Sequence, residues 1–111
     1  MSEITKDQVR RAGENLQTPG SKYRVVALVR DDSLARQFSR FAFRKGAVGV
    51  HTVGPGFGDD EKAIVVCAMF RFRKGMLSSL FGGTPRTERM VEVFGKKGGF
   101  QHVHAFEMSN E

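Results

Sequence analysis

The sequence predicts an α+β fold in which short strands and amphipathic helices share one modest core. Two observations lead to it. Apolar residues recur at helical spacing in three stretches and run continuously or alternate in four others, with Gly, Pro or Asp residues at most of the boundaries. The composition is that of a folded chain, 40% hydrophobic with ten Phe and three Pro in 111 residues, which is the size of a single domain. The expectation is one domain over residues 21–108, preceded by an amphipathic helix and turn in residues 1–20 and followed by a disordered tail at 109–111.

The first helix is expected from Ile4 to Gln17. Thr5 and Gln8 have the spacing of a capping box, Val9, Ala12 and Leu16 form one stripe, and Thr18, Pro19 and Gly20 end it. Tyr23 to Arg30 is rich in β-branched residues and too short for an independent helix, so it reads as a buried first strand. Asp31 and Asp32 can cap a second helix carrying Leu34, Phe38, Phe41 and Ala42 at helical spacing, with Lys45 and Gly46 at its exit. Val48 to Val53 is the second strand. The turn-rich run from Gly54 to Glu61 joins it to a long apolar third strand, Ala63 to Phe72.

Between Lys74 and Gly83, the residues Met76, Leu77, Leu80 and Phe81 are too apolar for an idle loop and suggest a helical turn that packs on a partner. Thr84 and Pro85 open a third helix with Met90, Val91 and Phe94 on its apolar stripe, ending before Gly95. Lys96, Lys97, Gly98 and Gly99 read as a helix exit and turn, with phosphate contact a lesser reading. Phe100 to Met108 alternates as a fourth strand, with Phe100, His102, His104, Phe106 and Met108 on one face and Val103 and Ala105 on the other.

After the N-terminal helix this order is β-α-β-β-α-β. It is the ferredoxin-like, split βαβ arrangement, with an antiparallel sheet in the order 4-1-3-2. The first and third strands are apolar on both faces, and the two crossover helices can cover only one. The N-terminal helix, the Met76 to Phe81 segment or a second copy in a homodimer must cover the other. The order of elements is also that of the RNA-recognition motif. The third strand, however, carries Ile64, Val65 and Val66 where that family places stacking aromatics, so the likeness stops at topology.

The formal charge of +6 and a pI near 10 favour polyanionic or acidic partners. The charge is unevenly spread: residues 21–46 carry a net +5 and residues 62–75 a net +4, against −3 for residues 47–61. In the expected topology Lys22, Arg24, Arg44, Lys45, Arg71, Arg73 and Lys74 gather at one end of the sheet. Arg36, Arg40 and Arg44 extend that cluster as an i, i+4, i+8 stripe, and Asp31, Asp32, Asp59, Asp60 and Glu61 lie at the other end. This set is the candidate nucleic-acid contact, DNA or RNA, made to the phosphate backbone. The alternative is a protein-interaction or assembly module that presents an apolar sheet face or the 76–81 segment to a partner, with the basic end meeting an acidic protein surface.

Other chemistries find little footing. His51 and the pair His102 and His104 fall on opposite sheet edges in the expected order, so no metal site is expected. Cys67 sits in the middle of an apolar strand, like a small core residue rather than an activated thiolate. The glycines at 54, 56 and 58 serve a hairpin tip and not a strand-to-helix phosphate loop. No cofactor and no enzymatic activity are expected. With a single cysteine and no apolar run longer than Ala63 to Phe70, a cytoplasmic protein without integral membrane association is expected.

Overall fold

A computed structural model of the chain describes residues 4–16, 23–71 and 86–107. Helix α1 spans Lys6–Asn15 and begins with the capping box: the Thr5 hydroxyl accepts from the Gln8 amide and the Gln8 side chain accepts from the Thr5 amide. Strand β1 is Tyr23–Val29, buried along its whole length. Helix α2, Asp32–Arg44, starts where the Asp31 carboxylate accepts from the Ser33 amide. It ends at Gly46, whose φ of +99° suits a residue without a Cβ. Strands β2, Gly49–Val53, and β3, Ile64–Phe70, follow. Helix α3, Arg86–Glu92, continues as a π-helical turn over Val93–Lys97, and β4 is Val103–Glu107.

The four strands form one antiparallel sheet in the order β2-β3-β1-β4. Because side chains alternate across a strand, β1 and β3 each supply two apolar faces. Tyr23, Val25, Ala27 and Val29 with Ile64, Val66, Ala68 and Phe70 face α2 and α3, where Phe38, Phe41, Met90 and Phe94 close the main core. Val26, Leu28, Val65 and Cys67 form the other face, and α1 covers them with Val9, Ala12 and Leu16. The N-terminal helix is thus the element that occupies the second face.

Two sequence expectations are corrected. The third helical segment does not stop before Gly95; the π-helical turn carries it on to Lys97. The fourth strand does not begin at Phe100. His102 takes a left-handed backbone angle, φ +57°, and the Phe100 amide still donates to the Phe94 carbonyl at 3.2 Å, so regular alternation starts only at Val103. Phe100 therefore lands in the main core beside Phe38, while His104 and Phe106 stay on the α1 face. Backbone geometry at two turn residues overrode the side-chain pattern.

Candidate nucleic-acid interface

The basic surface is built around an aromatic cluster. Phe41 meets Phe94 edge-on at 5.0 Å between centroids, Phe38 meets Phe94 at 5.0 Å, and Phe100 lies 5.2 Å from Phe38 and 5.9 Å from Phe41. These contacts lock the last turns of α2 against the π-helical turn after α3. The seam between them is an open groove of about 850 Å³, lined by Gln37, Arg40, Phe43, Arg44 and Lys45 from α2 and its exit, and by Lys97, Gly98 and Phe100 from the facing turn. Lys45 Nζ sits 5.3 Å from the centroid of the Phe41 ring and Arg44 Cζ 6.0 Å from it, so the aromatic core steadies the cations it displays.

Arg40, Arg44, Lys45 and Lys97 are all exposed, and among the described residues none of them pairs with a carboxylate. Two surface charges about 8 Å apart in water repel by only about 0.5 kcal/mol, so the fold tolerates the cluster without a ligand. The carbonyl ends of α2 and the π-helical turn also favour cations here. The turn's own amides are occupied: Gly98, Gly99 and Phe100 donate to the Val93, Gly95 and Phe94 carbonyls. An anion in the groove would be held by side chains.

The sequence candidates divide into three groups. Arg40, Arg44 and Lys45 meet in the groove, and Arg36 continues the α2 stripe into a smaller recess of about 360 Å³, which it lines with Arg40, Phe43, Thr52 and, at the start of the helix, the Asp32 carboxylate. Arg71 is exposed as the chain leaves β3, whose last pairs, Gly49 with Met69 and Tyr23 with Phe70, place it at the α2 exit end of the sheet. Arg24 does not join them. It is 6% exposed on the α1 face, where Nη1 donates to the Leu16 carbonyl and the guanidinium lies 5.1 Å from the Phe106 centroid. Lys22, Arg73, Lys74, Met76, Leu77, Leu80 and Phe81 lie outside the described residues, as does the 109–111 tail. Phe43 is absent from the sequence candidates, and Lys97 enters there only through the lesser reading of its turn as a phosphate contact. Only the pairing of α2 with the π-helical turn brings Lys97 in, whereas Phe43 was legible as the i+7 partner of Arg36.

The opposite end carries mixed charge. Arg30 donates through both Nε, at 3.0 Å, and Nη2 to Asp60 Oδ2, and the Lys62 amide donates to Asp60 Oδ1 at 3.0 Å. The Arg30 guanidinium first, and that amide second, hold the Asp60 carboxyl below the usual carboxylate range. Arg11, Arg30 and Lys62 share a second groove of about 740 Å³ with Asp59, Asp60 and Glu61, so no single ligand charge suits it. His51 on β2 and His104 on β4 stand on opposite sheet edges, and among the described residues no group of three His, Cys, Asp or Glu side chains could hold a metal ion. Among those residues, too, no helix is long and apolar enough to cross a membrane. Comparisons with protein-family models, with curated proteins and with solved structures find no match.

Proposed function

We propose that this chain is a small, non-catalytic binding protein that grips the phosphate backbone of nucleic acid through Arg36, Arg40, Arg44, Lys45 and Arg71, joined by Lys97. The observation that carries this reading is the groove in which Arg40, Arg44 and Lys45 face Lys97 from a separate element, with no carboxylate partner among the described residues. Such a surface gains by neutralising phosphates and releasing their counterions. The antiparallel order β2-β3-β1-β4, with α2 and α3 packed on the same face, supports a ferredoxin-like scaffold with an added N-terminal helix. That scaffold serves many functions, so the binding reading rests on the groove.

The competing reading, a protein-interaction module, had two candidate surfaces: α1 covers the apolar sheet face, and the 76–81 segment lies outside the described residues. Fluorescence anisotropy with labelled single- and double-stranded DNA and RNA tests the proposal. Binding is expected to weaken steeply with salt, and Arg40→Glu with Arg44→Glu should weaken it roughly tenfold or more at low salt, with the circular dichroism spectrum preserved. No binding at low salt by the wild-type chain would end this reading.

A further inference from the structure

Phe43 adds a second chemistry to the basic groove. Phe38 and Phe41 turn into the core, but Phe43 on the same helix is 55% exposed. It lines both the large groove and the smaller recess, as Arg40 does, so these two side chains form the ridge between them. Arg36, Arg40 and Phe43 follow one another at i, i+4 and i+7, a single stripe along α2, and Arg44 continues the cations one turn on. The three arginines therefore recur about every 6 Å along the helix axis, on the scale of successive phosphates in an extended strand.

We infer that the ligand is single-stranded nucleic acid, with an unpaired base stacked on the Phe43 ring while Arg36, Arg40, Arg44 and Lys45 track the phosphates on either side. The inference rests on the backbone-binding reading above and names its substrate class. An isolated exposed Phe is ordinary on a protein surface, but a ring set between cations matches the alternating flat bases and charged phosphates of an unpaired strand. In a duplex the base faces are stacked on one another, and an acidic peptide offers charge with no flat face, so neither would use the ring.

The chain contains no tryptophan and one tyrosine, Tyr23, so Phe43→Trp places a single tryptophan at the proposed contact that red-edge excitation reads apart from Tyr23. Titrating this variant with an oligothymidine single strand, its duplex with oligoadenosine and poly-glutamate should give quenching by the single strand alone. In anisotropy, Phe43→Ala should weaken single-strand binding roughly tenfold, leave duplex binding within about twofold, and leave the salt slope unchanged, while Phe43→Trp, with its larger stacking face, should bind the single strand at least as tightly as Phe43 does. Binding without quenching, equal losses for single strand and duplex, or no loss in Phe43→Ala would overturn the stacking contact while leaving the Arg-dependent backbone contact standing. If Arg40→Glu with Arg44→Glu also left binding intact, the groove itself would be the wrong surface, and both readings would fall together.

Discussion

Arg24 and Gly13 show how single residues are committed to holding the molecule together. Arg24 is 6% exposed, and its guanidinium recovers only part of its lost hydration: Nη1 donates to the Leu16 carbonyl at the end of α1 and the group lies over the Phe106 ring, while Nε is buried without a hydrogen-bond partner among the described residues. Arg24→Met keeps the apolar stem but leaves that carbonyl without its donor. It is expected to lower unfolding stability by about 1–2 kcal/mol in urea titration while changing nucleic-acid affinity less than about twofold. A binding loss as large as that of the Arg40 and Arg44 variants would contradict the structural role given to Arg24. Gly13 lies beneath the same Phe106 ring, where an added Cβ would come within 2.1 Å of Cε2. Ala normally favours a helix over Gly by about 1 kcal/mol. Here Gly13→Ala should instead destabilise by about 1–3 kcal/mol, because α1 must lift from β4; an increase in stability would show that the ring moves aside at little cost.

At the scale of elements, α1 is the cover that turns an apolar sheet face into a second core. Its capping box and the Arg10 ion pairs with Asp7 and Glu14 support the helix locally, but Val9, Ala12 and Leu16 on Val26, Leu28, Val65 and Cys67 hold it in place. Beneath its edge, burial first and then the Arg10 charge lower the His104 pKa below its usual 6.5, although Glu14 opposes them. Between that lowered value and 6.5 the unfolded chain binds more protons than the folded one, so stability rises with pH across this window. The contribution is complete above 6.5 and is lost as pH falls through the folded value. Urea midpoints measured from about pH 7.5 down to about pH 5 should therefore decline more in the wild type than in His104→Gln. Parallel declines would remove His104 as the cause.

For the whole molecule, the sheet lies between two apolar layers while the charges separate along α2. The Asp31 and Asp32 end stands near the Arg30–Asp60 pair, and the other end displays the cationic groove. If four cations engage phosphates, the logarithm of affinity should fall with the logarithm of salt concentration at a slope of about −3 to −4. A slope near −1 would mean that the groove is not engaged as a unit. The layering makes a separate prediction. Val9→Asp would place a charge against the buried sheet face, costing several kcal/mol and releasing α1. Light scattering should then report larger species, as Val26, Leu28, Val65 and Cys67 become exposed. A variant with the wild type's mass and unchanged stability would show that α1 is not the cover.

By itself the amino-acid order determined the features that depend on near neighbours. Thr5 and Gln8 cap α1, Asp31 caps α2, alternation assigns opposite faces to Val25 and Val26, and the i+4 spacing lines Arg36 up with Arg40 and Arg44. The tertiary structure decided what depends on residues distant in the chain. It assigned α1 to the second sheet face, folded Arg24 inward, and set Phe100 in the main core through the left-handed turn at His102. It also brought Lys97 against Arg40 and Arg44, completing the groove. Helical and strand periodicity tell a side chain which way to face, but only the packing of whole elements decides what it will meet.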